Sequence, residues 1–295
     1  MNFEPFLNQP IHLRKERRTW HTLALSAGPI RPRPHRFSKE YQLNPDITSA
    51  FSYNQTRAFL HFLTNNTNPK PTVYPDWTAL KGFDLYDEVF QRVLDAGLRL
   101  LVEEDPGMYS NVVMEFFPTL KVHWEDGKAI FWEFKLGDET WMLKRDRICR
   151  HLGITDYNGG MTPDFGEVGR NFFWEKISNA GTGAFIACLP ASMIKNPVWR
   201  IMHFLIVNTI NARGDGGLTV TNEDLDILNA IHSGYRMDLF SILSARFQNY
   251  ANLNEVPKAL GGGSFLTRLA VGLGYTFTQP GRPAPRRAIL DFSIA

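Results

Sequence analysis

NPVWRIMHFLIVNTI, residues 196–210, is the segment from which the fold class follows. Asn196 is a good helix N-cap, and Pro197 occupies the first helical position, where proline is favoured. The residues that follow are apolar on nearly every face of a helix, with few polar interruptions such as Arg200 and His203. A helix that is apolar all round belongs inside a protein, so this segment predicts a buried helix in a mainly helical core.

Capping residues mark the starts of further helices along the chain. Ser52 and Gln55 match the spacing of a capping box, and Thr221 and Asp224 flank another helix start. Single caps are predicted at three other positions, which are Asp84, Asp164 and Ser264, and Asp238 is predicted to precede a further helix. The glycine triplet at 261–263 is predicted to be a flexible hinge before the last of these helices.

One segment has the period of a strand rather than that of a helix. Apolar Ile130, Trp132 and Phe134 alternate with their neighbours, and Gly137 with Asp138 supplies a turn. A period of two, followed by a turn and a second extended segment, indicates a β-hairpin.

These patterns predict a mainly α protein of the α+β class, a multi-helix globular bundle with one small β-hairpin. Residues 1–45, which mix basic residues with prolines, are predicted to form a disordered arm, and residues 279–295 a basic tail. The helical globular domain is predicted over residues 46–278. Turn-forming residues near 156–166 indicate a boundary between two lobes, and a single continuous core is the alternative.

The formal net charge of +2 hides an uneven distribution. Residues 11–36 contain seven Lys and Arg against Glu16 alone, so this arm carries +6 and the rest of the chain −4. A basic arm on a mildly acidic body suits the binding of phosphate, which makes the backbone of RNA or DNA the predicted partner. A solvated leader that binds nothing specific is the alternative. The predicted nucleic-acid-binding residues are Arg14, Lys15, Arg17, Arg18, Arg31, Arg33, Arg36, Arg282, Arg286 and Arg287.

Signals for secretion and membrane insertion are not found in the sequence. No segment approaches the roughly 18 to 20 uninterrupted apolar residues that span a bilayer. Residues 1–10 lack the basic cap, apolar stretch and small-residue cleavage site of a secretory signal. The sequence therefore predicts a cytoplasmic or nuclear protein that is not secreted and has no membrane partner. Cys149 and Cys188 are too few for a disulfide framework or a four-ligand zinc site, and both are predicted to be buried thiols.

Motifs for catalysis, cofactors and metals are also missing. The triplet at 261–263 is not followed by the lysine of a phosphate-binding loop, and residues 181–183 lack the third glycine of a dinucleotide fingerprint. Neither a G-x-S-x-G elbow nor a Cys-x-x-Cys pair occurs. We therefore predict no catalytic residue, no metal, no cofactor and no small-molecule substrate. His203 is the most unusual histidine, and a hydrogen-bonded core residue is its favoured interpretation.

An aromatic cluster around the hairpin has two interpretations. Its members are Trp124, Phe131, Trp132, Phe134 and Trp141. An exposed hairpin face would offer stacking platforms for unpaired bases. Packing of the cluster against neighbouring helices is the other interpretation, and the favoured one.

Four blocks of packing residues occur in an order typical of one family. They are VMEFFPTL at 113–120, NFFW at 171–174, IKNPVWRI at 194–201, and GGG at 261–263 followed by FLTRLA at 265–270. Over residues 83–275 the chain resembles the open reading frame 1, or Gag-region, protein of Athila-type plant LTR retrotransposons. The resemblance implies a retroelement product, or its domesticated or decayed descendant, and it brings no catalytic residues. The protease, polymerase and zinc-knuckle motifs of a complete polyprotein do not occur in the chain.

The favoured hypothesis is a non-enzymatic, Gag-like structural protein whose helical body forms homo-oligomers and whose basic termini contact nucleic acid. Three other hypotheses stay open. One is a domesticated protein-interaction module that binds a host protein and no nucleic acid. Another is an enzyme whose site is assembled from distant residues, and the last is a relic with no selected function.

Overall fold

Ten α-helices and one three-stranded antiparallel sheet make up most of the part of the chain that the structure describes. The structure is a computed structural model, and it describes residues 52–64, 68–70, 72–102, 107–157, 159–178, 184–211, 213, 217–251 and 259–275. These residues confirm the predicted class, mainly helical with a small β component. The predicted arm at 1–45 and the predicted tail at 279–295 lie outside them.

The helices follow one another along the chain, with the sheet inserted after the fourth. They are α1 (Tyr53–Thr64), α2 (Trp77–Gly82), α3 (Tyr86–Asp95), α4 (Ser110–Thr119), α5 (Arg145–Leu152), α6 (Gly166–Ile177), α7 (Pro197–Asn208), α8 (Asn222–His232), α9 (Leu239–Ala251) and α10 (Gly263–Gly272). Short 3₁₀ turns cover Arg99–Val102 and Ala191–Met193. None of the described helices has the length and apolar character needed to cross a membrane.

The strands among the described residues form one three-stranded sheet and two short pairings. The sheet contains β2 (Lys121–Glu125), β3 (Lys128–Leu136) and β4 (Glu139–Lys144), all antiparallel and in that order. The short pairings join two-residue strands: β1 (Asn68–Pro69) is parallel to β7 (Ala259–Leu260), and β5 (Leu189–Pro190) is antiparallel to β6 (Thr219–Val220). The β1–β7 pairing therefore brings the beginning and the end of the described chain together.

Helix α7 is the buried helix that the sequence predicts. The Asn196 side chain accepts hydrogen bonds from the backbone N–H groups of Val198 and Trp199, at 3.0 and 3.2 Å. Pro197 is the first helical residue. The helix packs against both α3 and α8, so its apolar surface is covered on more than one side. Its buried residues are Val198, Trp199, Ile201, Met202, His203, Leu205, Ile206 and Val207.

The predicted hairpin is present as β3 and β4, joined by a turn at Gly137 and Asp138. The prediction was nevertheless one strand short, because β2 extends the hairpin to a three-stranded sheet. A second tight turn, at Asp126 and Gly127, joins β2 to β3 with φ values of 48° and 75°. Positive φ at both positions belongs to the turn type whose twist matches two antiparallel strands.

Three predicted helix starts are confirmed by hydrogen bonds. Before α1, the Ser52 N–H donates to Gln55 Oε1 at 2.9 Å, and the Gln55 N–H donates to Ser52 Oγ at 3.4 Å. Thr221 and Asp224 bond each other reciprocally in the same way at the start of α8. The Asp238 carboxylate accepts a backbone hydrogen bond in the first turn of α9, at 2.9 Å.

Two other predicted caps are wrong, and one is shifted. Asp84 has a φ of 57° and precedes α3 without capping it. Ser264 lies inside α10, where its hydroxyl accepts a hydrogen bond from the Thr72 N–H at 3.3 Å. Asp164 lies two residues before α6 and accepts from the Gly166 N–H at 2.8 Å. A short polar side chain has several local and tertiary partners within reach, and sequence alone does not choose between them.

Helix α9 is docked on the sheet by hydrogen bonds from one of its faces. The hydroxyls of Ser241 and Ser244 accept from a backbone N–H of β3 and from the Trp132 indole, at 2.9 and 2.8 Å. Gln248 Oε1 accepts from the Trp124 indole at 2.8 Å. Residues three and four positions apart share one face of a helix, so the three acceptors point the same way. Helix α4 also packs on β3, and together the two helices cover this face of the sheet.

The glycine triplet is packed tightly against other segments of the chain, so the prediction of a flexible hinge is wrong. Gly261, Gly262 and Gly263 are all buried. A Cβ on Gly262 would lie 2.7 Å from Phe247 Cζ of α9, and one on Gly263 would overlap Met108 Sδ. Glycine is needed at these positions because α10 begins where these neighbours leave no space for a side chain.

Gly262→Ala is expected to lower the free energy of unfolding by roughly 2–4 kcal/mol. Its φ of 77° strains any residue that has a Cβ, and the added methyl group meets the Phe247 ring. Gly127→Ala is the matched control, since Gly127 has a φ of 75° but nothing within 4 Å of the added Cβ. The control is expected to cost only about 1 kcal/mol. Urea denaturation measures the free energy of unfolding of both variants. Equal decreases would show that there is room for a methyl group at Gly262.

Candidate nucleic-acid interface

The ten basic residues that the sequence predicts to bind nucleic acid lie outside the residues that the structure describes. Seven belong to the predicted arm and three to the predicted tail. Their role therefore stays a prediction. They are Arg14, Lys15, Arg17, Arg18, Arg31, Arg33, Arg36, Arg282, Arg286 and Arg287.

Acidic and basic residues balance one another in the described part of the chain. Of the 32 Lys and Arg and the 30 Asp and Glu in the sequence, 20 of each lie among the described residues. The described part has no formal net charge, and the surplus of +2 lies outside it. Any attraction of the described part for phosphate must therefore come from how its charges are distributed over the surface.

One group of polar residues is buried around Asp224, at the start of α8. Its carboxylate accepts hydrogen bonds from Asn211 at 2.7 Å and from the Arg213 guanidinium at 2.5 Å. His203 Nε2 on α7 lies 3.5 Å from the same carboxylate. His203 and Asp224 are both almost completely buried, which agrees with a core histidine. The group ties α7 to α8 from inside the protein.

The charge of Asp224 is maintained by these neighbours. Burial alone would raise the pKa of its carboxyl. The nearby His203 imidazole, with the Thr221 N–H and the charge of Arg213, acts in the opposite direction and leaves the pKa below its usual range. Asp224 is therefore ionised at neutral pH, where it serves both as a cap and as an ionic anchor.

A second group of charged residues lines a cleft between α6, α8 and α9, with a volume of about 470 Å³. Arg170 lies 2.6 Å from both Asp164 and Asp226, and Arg246 pairs with Glu223. An enzyme assembled from distant residues would need titratable groups that converge on open space. Here each guanidinium faces carboxylates instead, an arrangement that holds the three helices together.

Metal and thiol chemistry find little support in the described residues. Among them, no three His, Cys, Asp or Glu side chains converge closely enough to hold a metal ion. Cys149 is buried as predicted, and burial raises the pKa of its thiol to about 12, so it is not a nucleophile at neutral pH. The prediction is wrong for Cys188, which is exposed because it lies in a turn before β5.

The sheet has one face toward the protein interior and one toward solvent. Trp132 and Phe134 of β3 point inward, where their rings contact Phe116 of α4. Successive residues of a strand point to opposite faces, so their neighbours point outward. We call this second surface the outer sheet face; its residues are Lys121, His123, Phe131, Glu133, Lys135, Thr140, Met142 and Lys144.

The strand register places an aromatic pair in the middle of the outer sheet face. His123 of β2 lies opposite Phe131 of β3, and Phe131 lies opposite Lys144 of β4. The His123 and Phe131 rings stack, with centroids 3.9 Å apart and planes inclined by 12°. The His123 side chain is 38% exposed, so solvent reaches the stack.

Lysines surround this aromatic pair. Lys121 lies opposite Glu133 in the next row of the sheet, with Nζ and Oε1 2.8 Å apart. The pKa of Glu133 is lowered, chiefly by its hydrogen bond from Lys121, so it stays ionised. The outer sheet face contains three lysines and this glutamate, so its net charge is +2. The described part of the chain as a whole has no net charge. Positive charge beside partly exposed rings is an arrangement that suits nucleic acid.

The aromatic cluster is divided between its two predicted interpretations. Trp132 and Phe134 pack inward, as the favoured interpretation expects. Phe131 lies on the outer sheet face, as the stacking interpretation requires. Trp124 is 36% exposed and is held by its hydrogen bond to Gln248. The hairpin residues thus supply both a core and a surface.

Lys121 and His123 were missed as candidate residues because β2 was not predicted. The signal for that strand is the dipeptide Asp126-Gly127, which lies between two extended segments. Asp-Gly at such a position is among the strongest short-range signals for a hairpin. With the strand assigned, its alternation would have placed both side chains on one face.

The model of one protein family matches this chain. Its description is ATHILA ORF-1 family, and it matches residues 53–233. No curated protein and no solved structure matches the chain. The family match includes the sheet and helix α7, and it confirms the resemblance indicated by the first three sequence blocks; the fourth block, at 261–270, lies outside the match. Because the match covers more than half of the 295 residues, the chain belongs to the ATHILA ORF-1 family, the ORF-1 proteins of Athila-type retrotransposons.

Proposed function

We propose that the protein is a non-enzymatic, Gag-like structural protein of a plant retroelement, which self-associates and contacts the backbone of RNA or DNA through its basic termini. We propose the cytoplasm or nucleus as its place of action. One observation carries the proposal: the described residues contain 20 basic and 20 acidic residues, whereas seven cations lie between residues 14 and 36 against one glutamate. Membership of the family supports the retroelement origin.

Phosphate binding is the chemistry that fits this separation of charge. Clustered cations neutralise phosphates and release counterions, an interaction that depends little on sequence and falls steeply with salt. A body with no net charge neither adds to this attraction nor opposes it at long range. The arm is therefore the expected source of most of the salt-dependent affinity.

A structural rather than catalytic role is supported by Glu115 of α4, a buried carboxyl in the described part of the chain. Burial raises the pKa of Glu115, a property that is also found in general acids. However, Glu115 is only 3% exposed. It accepts hydrogen bonds from the Gly137 N–H at 3.0 Å and from the Tyr275 hydroxyl at 3.4 Å. A group enclosed in this way braces the hairpin turn against the end of α10.

Self-association is supported by exposed apolar side chains on α6. Val168 is 83% exposed, and Phe172, one turn later on the same face, is 62% exposed. The Lys176 ammonium lies 4.6 Å from the centre of the Phe172 ring. Neighbouring exposed apolar side chains often mark a protein interface, and a second copy of the chain is the occupant that we propose.

Replacing the seven arm cations with glutamine is expected to weaken nucleic-acid binding and to flatten its salt dependence. If all seven contact phosphate, the slope of log affinity against log salt is expected to change by about 5 to 6, at roughly 0.7 to 0.9 for each phosphate. Replacing Arg282, Arg286 and Arg287 is the matched control, with an expected change of about 2 to 3. Fluorescence anisotropy with a labelled RNA of random sequence, measured over a range of salt concentrations, gives the slopes.

Unchanged nucleic-acid binding by the arm variant, or no binding by the wild type and the arm variant alike, would contradict the role proposed for the basic arm. A protein partner that stays bound after nuclease treatment and in high salt would then favour the interaction-module hypothesis. Light scattering on the same proteins tests self-association, and a mass above 33.7 kDa is expected for both because α6 is unchanged. A monomer in both cases would contradict that part of the proposal.

A further inference from the structure

The outer sheet face has features that backbone contact by the termini does not explain. Phosphate binding needs cations, but this face also presents the parallel stack of His123 on Phe131, 3.9 Å apart. The stack lies away from the core, on the side of the sheet opposite Trp132 and Phe116. Its position on a surface with surplus positive charge points to a ligand that carries both flat rings and negative charge.

Nucleic-acid bases meet this requirement. A base can extend a stack of aromatic rings whatever its identity, because every base has a flat π face. Only unpaired bases are free to do so, since the bases of a duplex are already stacked on one another. An acidic peptide would match the lysines but would leave the ring stack without a partner. Single-stranded nucleic acid therefore fits more of the observed features.

The lysines are placed where the phosphates of such a strand would pass. Lys144 lies next to Phe131 in the same row, on the β4 side. Lys121 lies one row away on the β2 side, and its side chain is 61% exposed. Neighbouring strands are about 4.8 Å apart and β3 lies between β2 and β4, so the two lysines flank the central strand, and Phe131 on it, at a backbone separation on the order of 10 Å.

We propose that the outer sheet face binds unpaired bases of single-stranded RNA or DNA, with one base stacking on the His123–Phe131 pair and phosphates near Lys121 and Lys144. The proposal rests on the proposed function in taking nucleic acid as the ligand. It assigns base-dependent binding to the folded body and leaves the termini with base-independent binding of the backbone.

The test compares two labelled oligomers of equal length, one of uridine and one with abasic sites throughout, on the full chain at one salt concentration. The wild type is expected to bind the uridine oligomer about tenfold more tightly, as the stacking of one base on an aromatic side chain allows. Phe131→Val keeps a good strand former but removes the ring, and is expected to bring the ratio close to one. Phe131→Trp is expected to preserve or raise the ratio.

Met142→Val is the matched control, because Met142 lies on the same face, is 66% exposed and has no ring. It is expected to keep the wild-type ratio. Lys144→Gln is expected to weaken the binding of both oligomers and to reduce the salt slope by about one. If circular dichroism shows that Phe131→Val does not fold, His123→Asn is the replacement variant, with the same expected loss of the ratio.

A ratio of one in the wild type, or an unchanged ratio in a folded variant without the ring, would overturn the proposal. So would displacement of the uridine oligomer by polyglutamate as readily as by unlabelled uridine oligomer, which would identify an acidic peptide as the ligand. Replacing the arm cations is expected to weaken the binding of both oligomers alike and to leave the ratio of their affinities unchanged. The proposed function and this inference therefore fail separately.

Discussion

Asp224→Ala is expected to lower the free energy of unfolding by about 3–5 kcal/mol, because it leaves buried polar and charged groups without their partner. The variant removes the acceptor for Asn211 and Arg213, whose side chains lie 2.7 and 2.5 Å from the carboxylate. It also removes the reciprocal cap with Thr221 that starts α8. Urea denaturation followed by circular dichroism measures the loss.

Asp146→Ala is the matched control for this variant. Asp146 lies on α5 with its side chain 68% exposed, 4.0 Å from Arg150. Exposed ion pairs contribute little to stability, so the expected change is within about 0.5 kcal/mol. Equal losses in the two variants would contradict the claim that the buried group around Asp224 holds α7 and α8 together.

The same carboxylate gives the stability of the protein a predictable dependence on pH. The pKa of Asp224 is lower in the folded protein than the usual value that it has in the unfolded chain. Its contribution to stability is therefore complete above the usual aspartate pKa, and is lost as the pH falls through the lower folded value. The difference in stability between wild type and Asp224→Ala is expected to shrink over that acidic range. A difference that did not change with pH would contradict the assigned direction of the pKa shift.

Trp132→Ala is expected to lower the free energy of unfolding by about 3–5 kcal/mol. The Trp132 ring is fully buried and contacts the rings of Phe116, Phe240 and Phe247. Its indole N–H donates to the Ser244 hydroxyl at 2.8 Å. Truncation opens a cavity between the sheet, α4 and α9, and leaves that hydroxyl without its donor. Thermal unfolding is expected to show a fall in Tm on the order of 10 °C.

Trp124→Ala is the control for the buried tryptophan. Trp124 lies on the neighbouring strand and donates a hydrogen bond of the same 2.8 Å length, to Gln248, but it is 36% exposed. Trp124→Ala is expected to lower the free energy of unfolding by about 1 kcal/mol. A loss as small as this for Trp132→Ala would mean that α4 and α9 close the cavity by moving together.

The helices were largely predictable because their signals are local. The cap of α7 at Asn196 and the reciprocal cap of α8 at Thr221 each involve residues within three positions of one another. The wrongly predicted caps show the limit of local signals. Ser264 bonds to Thr72, which is 192 residues away in the chain, and no local pattern contains such a partner.

The outer sheet face was only partly predictable, because it depends on the pairing of three strands. Phe131 was a candidate from the sequence, but its neighbours His123 and Lys144 follow only once the register of β2 and β4 is known. Similarly, Arg145 pairs with Asp238, 93 residues further along, at 2.7 Å. Local spacing carries information about periodicity and turns, but not about which distant segments meet.

The late position of α9 and α10 in the chain has a consequence for how the protein is made. Helices α9 and α10 follow the family-matched residues, which end at 233, yet they cover the sheet and α4. While the ribosome is still translating that last part, Phe116, Phe117 and Trp132 have no such cover, and aromatic surface exposed during synthesis is prone to aggregate. A chain that ends before α9 would therefore leave these aromatic side chains without the helices that cover them, and is expected to aggregate.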